Sequence, residues 1–211
     1  MKSIFLMAQD SGWYPALLNP IVEAIRLNPN KKKILDIGTG PGKLPELLLQ
    51  KESDFEFTGI DINGRMIDKA KERVNARNVF FQTQTPNAPL GFPNDQFDFV
   101  CFSSVLFLLS LEQKQLLMDE AVRVLKIGGK ILVLTPTGSK SIWSSILEIG
   151  KFPANKYNWT YLVWKMLTSN TARRWQVEKW LWGYSQHNGL AYHTTQVFND
   201  NSRLEIITKT K

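Results

Sequence analysis

The stretch ILDIGTGPGKLPELLL at residues 34 to 49 constrains the fold more than any other part of the chain. An aliphatic run ends in three glycines within five residues, Gly38, Gly40 and Gly42, and a leucine-rich stretch with helical spacing follows. Glycine allows backbone conformations and close approaches that side chains forbid. The pattern therefore predicts a buried strand that passes through a tight turn into a helix, with room for a ligand above the turn.

Strand and helix patterns then alternate along the chain. We predict strands at about residues 33–37, 55–60, 79–82, 97–102 and 130–135, and helices at 43–51, 65–74 and from a capping box at Ser110 to about Leu125, where Gly128 and Gly129 stop the helix. Residues 190–198 and 203–209 indicate a hairpin around NDNS. Alternation with short connections predicts an α/β fold: a doubly wound, seven-stranded, mostly parallel sheet with a C-terminal antiparallel hairpin.

Composition fits a single globular domain over residues 1–211, since 43% of the residues are hydrophobic. The one cysteine, Cys101, lies inside the apolar run FDFVCF, which excludes an internal disulfide framework and favours a reducing, cytoplasmic setting. We find no run of about 18 apolar residues and predict no transmembrane segment. The net charge of +7 permits an anionic partner such as a nucleic acid but does not require one.

Two segments depart from the alternation. Residues 8–28 are predicted to form an N-terminal helical cap across the ligand, and residues 139–188 a helical insert that acts as a lid. Five of the seven tryptophans lie between Gly150 and Gly189, in a stretch rich in basic residues. An equally weighted alternative is that these rings only pack helices onto the sheet.

The glycine turn does not fit a dinucleotide. The dinucleotide fingerprint requires glycine at its sixth position, where this chain has Lys43. Asp61 ends the second strand, at the place where an acid accepts hydrogen bonds from ribose hydroxyls. Asp36, in the first strand, is a second acid that has no use in holding a phosphate. Two carboxylates without a pyrophosphate seat favour a ribose joined to a cationic group, and S-adenosylmethionine carries both.

The motifs ILDIGTGPG, FTGIDING, FDFVCF and LKIGGKILVLT resemble, in order and spacing, those of class I S-adenosylmethionine-dependent methyltransferases. The resemblance covers about residues 30–135 and is closest to the small-molecule, quinone-type branch. It implies the Rossmann-like fold of that family, S-adenosylmethionine as cofactor, and methyl transfer by in-line displacement to a small-molecule acceptor. RNA as the acceptor, and a cofactor-binding protein without turnover, are the alternatives.

The resemblance also implies roles for individual residues. The methionine moiety would be held by Asp36 and the turn residues Gly38, Thr39, Gly40 and Gly42, the ribose by Asp61, and the adenine by Ile62 and Met66. Gln84 or Thr85 would accept the adenine amino group, because the acid that many relatives have after strand three is absent. Ser103 and Ser104 would lie under the methyl sulfonium.

Residues on the acceptor side are predicted from their position in the cap and the insert. Trp159 and Trp164 are expected to contact a flat or apolar acceptor, and Tyr14 the acceptor or the methionine end of the cofactor. Arg174 is expected to meet an anionic acceptor, a lipid surface or RNA, or else to lie on a solvated helix face. The acceptor itself cannot be identified. No catalytic residue can be named. The two histidines, His187 and His193, are interpreted as structural, and we predict no metal site.

Overall fold

The computed structural model describes residues 4–28, 32–51, 54–138 and 142–211. The strands in this part of the chain are β1 (Lys32–Ile37), β2 (Phe55–Asp61), β3 (Val79–Thr83), β4 (Phe97–Ser103), β5 (Leu125–Pro136), β6 (Ala191–Val197) and β7 (Ser202–Thr208). They form one sheet in the order β3-β2-β1-β4-β5-β7-β6. The first five strands run parallel, and β7 is antiparallel to both β5 and β6. The predicted fold class is confirmed, including its reversed C-terminal hairpin.

Helices cover the sheet on both sides. They are α1 (Ile4–Gln9), α2 (Tyr14–Arg26), α3 (Lys43–Lys51), α4 (Gly64–Arg73), α5 (Leu111–Val124), α6 (Ile142–Ile149), α7 (Thr160–Glu178) and α8 (Trp180–His187), with a short 3-10 helix at Leu106–Leu108. Within the described ranges, no helix has the length and apolar character that crossing a membrane requires.

Helix α5 begins and ends about where it was predicted, but not for the predicted reason. The Ser110 hydroxyl accepts a hydrogen bond from the Gln113 amide, and the Gln113 side chain accepts one from the Ser110 amide. The prediction that Gly128 and Gly129 stop the helix is wrong, because Leu125 is already extended and both glycines lie inside β5. The Gly128 amide donates to the Lys209 carbonyl at 2.7 Å, so pairing with the distant C-terminal segment decides the structure here.

The sheet divides the core into two apolar clusters. Alternate residues of β1 point to opposite faces, so Ile34 belongs to one cluster and Leu35 to the other. The central strands are buried on both faces, as their nearly continuous apolar sequence predicts. Cys101 in β4 is fully buried among them and is a core residue.

The predicted cap, residues 8–28, contains α2 and only the last two residues of α1, and the predicted insert contains α6, α7 and α8. Residues 139–141, at the start of the insert, lie outside the described residues. An aromatic cluster joins cap to insert. The ring of Trp13 lies 5.5 Å from that of Tyr161 and 5.2 Å from that of Trp164, and the Trp13 indole donates to the Thr160 hydroxyl. These contacts support the packing alternative for Trp164. Closure of the insert over a ligand stays a prediction.

A buried polar network fixes α6 against α7 and the hairpin. The Tyr161 hydroxyl donates to Glu148 Oε2, and Asn201 Nδ2 donates to the same oxygen at 3.0 Å. Lys165 Nζ in turn donates to Asn201 Oδ1 at 2.7 Å. All four side chains are more than nine-tenths buried. Burial and the neighbouring Glu148 raise the pKa of Tyr161, which keeps its hydroxyl a donor.

Candidate functional site

The glycine turn lies at the carboxyl end of β1, in the middle of the sheet. Gly38, Gly40 and Gly42 all have positive φ, at 78°, 56° and 79°. A Cβ atom on Gly38 would also lie only 2.5 Å from Val105 Cγ2. The turn therefore requires glycine for its backbone conformation and, at Gly38, for space as well.

Asp61 at the end of β2 faces this turn. Its Oδ2 accepts a hydrogen bond from the Gly40 amide and its Oδ1 one from the Asn63 amide, both at 2.9 Å. The side chain is half-buried. A carboxylate has about four acceptor positions. Two amides leave room for further donors, so the geometry fits the predicted contact with ribose hydroxyls.

A cavity of about 160 Å³ opens next to Asp61. Five predicted cofactor residues line it, Gly38, Asp61, Ile62, Gln84 and Thr85. The Gln84 amide nitrogen donates to the carbonyls of Ala88 and Pro89, at 3.2 Å each. This orientation leaves the Gln84 carbonyl oxygen as the acceptor for an amino group, as the predicted role requires.

A second, much smaller cavity of about 10 Å³ lies on the other side of the turn, and its lining includes Gln9, Tyr14, Asp36, Thr39 and Ser103. Four buried atoms there, Gln9 Oε1, Asp36 Oδ1, Thr39 Oγ1 and Ser103 Oγ, have no partner with hydrogen-bond geometry in the part of the chain that the structure describes. Buried polar atoms without partners destabilise a fold by about 1 to 3 kcal/mol each. Their convergence at one cavity indicates that a polar ligand satisfies them.

The Asp36 carboxyl has an unusual protonation equilibrium. It is 2% exposed. Burial raises its pKa from 3.8 to about 7, the Thr39 hydroxyl opposes this rise, and the charge of Asp61 adds to it. A cationic group next to Asp36 would favour the charged carboxylate. The site therefore fits the cationic amino group of the methionine moiety.

The space beside Gly40, predicted to be open, is occupied by side chains of α1. A Cβ atom on Gly40 would lie 3.0 Å from Gln9 Nε2 and 3.1 Å from Phe5 Cε1. An ion pair of 2.6 Å between Asp10 and Arg73 fixes the segment after α1 to α4. The prediction missed this because α1 folds back onto the turn, a contact that no local pattern specifies. A cavity of 10 Å³ holds at most one water, so α1 must shift before the cavity can take a larger group.

Other predicted residues lie apart from these cavities. Met66 is half-buried on α4, outside the lining of both, so its contact with adenine stays a prediction. Trp159 is 45% exposed just before α7, whereas Trp164 packs in the aromatic cluster. Arg174 is exposed beside a third cavity of about 200 Å³. Of the four predicted acceptor residues, Tyr14 alone lines the small cavity, on the cofactor side of the site.

Sequence reasoning missed three residues of the site. Asn63 caps α4, since its side chain accepts from the Arg65 amide, and an asparagine just before a helix is a recognisable signal. Val105 and Gln9 carry no such signal. They reach the turn only through the tertiary packing of the loop after β4 and of α1.

Comparison with known proteins finds similarity in the part of the chain that contains the glycine turn, Asp61 and Ser103. A family model described as "Methyltransferase domain" matches residues 34–129. The ubiquinone/menaquinone biosynthesis C-methyltransferase of Geotalea daltonii is 30% identical over 117 residues, which are 54% of this chain and 48% of that protein. The ribosomal protein L11 methyltransferase of Dictyoglomus thermophilum is 30% identical over 149 residues, 68% of this chain and 48% of that protein. The chain thus spans about half the length of these curated relatives.

The fold agrees with that assignment. A crystal structure of an S-adenosylmethionine-dependent methyltransferase from Aquifex aeolicus matches with a TM-score of 0.69 at 17% identity, and covers 99% of this chain and 100% of that one. Proteins of the matched family use S-adenosylmethionine as methyl donor. The glycine turn, the two acids and the reversed hairpin occur together in the order that the family resemblance predicts. The chain therefore has the Rossmann-like fold of S-adenosylmethionine-dependent methyltransferases, and its residues 34–129 are similar to the methyltransferase domain of that family.

Proposed function

We propose that this chain transfers a methyl group from S-adenosylmethionine to a small-molecule acceptor. The observation that carries the proposal is the arrangement around the glycine turn. Asp61 faces the turn on one side, and Asp36 lies buried on the other without a partner for its Oδ1 among the described residues. One side suits a sugar, and the other suits a cationic amino acid moiety.

Each residue around the turn has a proposed task. When bound, the cofactor supplies an electrophilic methyl group on a sulfonium. Asp36 holds the amino group of the methionine moiety, Asp61 the ribose and Gln84 the adenine amino group. The Ser103 hydroxyl, at the end of β4, faces the small cavity and orients the sulfonium end. The protein contributes mainly position, because displacement at a sulfonium disperses a charge that the reactant already carries.

The acceptor is the less constrained part of the proposal. A small molecule is supported by the Geotalea relative, whose name places it in quinone biosynthesis. The Dictyoglomus relative is named for a ribosomal protein, so relatives of similar identity differ in acceptor. The net charge of +7 favours RNA as the second candidate. We further propose that α1 and α2 cap the cofactor and that the insert closes over the acceptor.

The proposed cofactor contacts can be tested by calorimetry with S-adenosylmethionine, S-adenosylhomocysteine and NADH. We expect the first two to bind and NADH not to bind. Asp61→Asn keeps one carbonyl oxygen, whereas Asp61→Ala also releases the Gly40 amide. We therefore expect losses of about 1.5 kcal/mol for Asn and about 3 kcal/mol for Ala, as for hydrogen bonds to a charged group.

Asp68→Asn, on the exposed face of α4, is the matched control and should bind like the wild type. Equal affinity for NADH, or unchanged affinity in both Asp61 variants, would refute the cofactor assignment. For the acceptor, binding to tRNA fragments between 50 and 200 mM salt separates the two candidates. Binding that weakens steeply with salt would support RNA, since phosphate contacts release counterions.

A further inference from the structure

Helix α6 turns Ser145 and Glu148 inward together with the apolar Ile149, which packs against the core, and it exposes three other apolar residues. Ser145 is fully buried and Glu148 is 6% exposed, whereas Trp143 and Leu147 are 80% and 77% exposed. Ile146, on the same outward side, is 45% exposed. A surface helix of a globular protein normally shows the opposite pattern, with apolar residues facing the core. Packing onto the core therefore does not explain the apolar residues on the outward side of α6.

Hydrogen bonds to Glu148 fix the rotation of α6 about its own axis. Glu148 accepts hydrogen bonds from Tyr161 on α7 and from Asn201 in the hairpin turn. Turning the apolar residues inward would pull Glu148 away from both donors. The Asn201 amide would keep the carbonyls of Phe198 and Asn199 as acceptors, but the buried Tyr161 hydroxyl would lose Glu148 as its acceptor. Such a rearrangement is unfavourable by about 1 to 3 kcal/mol. The structure thus holds Trp143 and Leu147 toward the outside.

The outward stripe has the chemistry of a helix that lies at a lipid surface. Trp143, Leu147 and Lys151 follow one another at intervals of four residues, so the stripe ends in a cation. The turn at Lys151 continues α6, because the Lys151 amide donates to the Glu148 carbonyl at 2.9 Å. Tryptophan and leucine insert at the boundary between headgroups and acyl chains, and a lysine nearby pairs with anionic headgroups.

The charge around α6 favours an anionic surface over a second copy of the chain. The acid of α6, Glu148, is turned inward, and the nearest cations after α6 along the chain, Lys151 and Lys156, are exposed. In a symmetric dimer the same patch would face itself, and this patch would offer Lys151 no carboxylate, because α6 turns its acid inward. An anionic bilayer instead attracts these cations by about 1 kcal/mol for each residue near its surface.

We propose that the outward side of α6, defined by Trp143, Ile146, Leu147 and Lys151, docks on the surface of a membrane that contains anionic phospholipids. The chain would lie on the bilayer without crossing it, with α6 in the interface plane. The inference concerns where the protein resides and does not depend on the proposed methyl transfer.

Sedimentation with vesicles tests the proposal. We expect the full chain to bind vesicles of phosphatidylcholine with 30% phosphatidylglycerol, and to bind pure phosphatidylcholine at least about fivefold more weakly. Trp143→Ser with Leu147→Ser should reduce the partition coefficient by roughly tenfold or more, because it removes the two most exposed apolar groups of the stripe. Raising the salt from 0.1 to 0.5 M should weaken binding further.

The matched control replaces two equally exposed apolar residues elsewhere, Leu27→Ser with Ile127→Ser, which are 83% and 68% exposed. This variant should bind vesicles like the wild type. Sedimentation velocity without lipid provides the second measurement. Equal vesicle binding by both double variants, or a dimer that Trp143→Ser and Leu147→Ser dissociate, would overturn the proposal. Cofactor affinity measured in parallel should stay unchanged, which separates this outcome from failure of the proposed function.

Discussion

Buried polar groups around the glycine turn and inside the insert contrast sharply. Around the turn, Asp36 Oδ1 and Ser103 Oγ have no partner within the described ranges, although both atoms are buried. In the insert, Glu148 lies equally deep and accepts hydrogen bonds from Tyr161 and Asn201. Unsatisfied polar atoms mark a place prepared for a ligand, whereas a satisfied network marks architecture. Single unpartnered atoms also occur elsewhere in the described ranges, such as Gln176 Oε1 in α7, so the feature that distinguishes the turn is that several of them line one cavity.

The largest expected effect comes from breaking the satisfied network. Glu148→Ala removes the shared acceptor, which leaves the buried Tyr161 hydroxyl without it and the Asn201 amide with its two backbone acceptors only. We expect a loss of about 3 kcal/mol in the free energy of unfolding, measured by urea denaturation. Glu148→Gln retains one acceptor oxygen and should lose clearly less. If alanine leaves the stability unchanged, the network is not what fixes the insert.

Replacing Asp36, the unpartnered acid beside the glycine turn, should instead raise the free energy of unfolding at high pH. The folded pKa of Asp36 is about 7 and its ordinary value 3.8, so the folded state retains a proton that the unfolded state releases. This contribution is most favourable below about pH 4 and is lost as the pH rises to about 7. Asp36→Asn should therefore be clearly more stable than the wild type at pH 8 and nearly equal to it at pH 4, with the difference growing as the pH rises between these values.

The same variant should bind S-adenosylmethionine more weakly at pH 8, where the wild type carries the carboxylate. Urea denaturation at several pH values and calorimetry provide the two readouts. A stability difference that does not vary between pH 4 and pH 8 would show that the pKa of Asp36 is not raised in the fold. The interpretation of Asp36 as a buried group that lacks a partner would then be wrong.

The smallest effect concerns the insert alone. Gly183 lies inside α8, and a Cβ atom there would meet no atom within 4 Å. Gly183→Ala should raise the free energy of unfolding by about 0.5 to 1 kcal/mol, through helix propensity. Gly91→Ala, equally free of neighbours but outside any helix, is the control and should change stability by less than about 0.5 kcal/mol. A gain without a change in cofactor affinity would agree with a scaffold role for α8.

Local pattern was sufficient for most of the sheet and for the glycine turn. The apolar runs of β1, β2 and β4, the capping box at Ser110 and the hairpin all occur where the sequence indicates them. These features depend on neighbours within a few residues. The glycines and Asp61 also follow a spacing that the family resemblance makes specific, and the contact between Gly40 and Asp61 agrees with it.

Features that depend on distant partners could not be predicted. Gln9 reaches Gly40 only because α1 folds back over the turn. The segment IWSSILEI indicates an apolar helix, but the partners of Glu148 that decide which side is buried lie 13 and 53 residues along the chain. The early start of β5 likewise depends on pairing between Gly128 and Lys209.

The position of β7 has a consequence for the chain during its synthesis. This strand lies between β5 and β6, yet it begins 66 residues after β5 ends, from Pro136 to Ser202. At about 5 to 20 residues per second, the ribosome leaves one edge of β5 unpaired for roughly 3 to 13 seconds. That edge carries Ile131 to Leu134, an aliphatic run that would pair with other nascent chains. Chaperone capture is therefore expected to be strongest on nascent chains that have passed Pro136 and still lack β7.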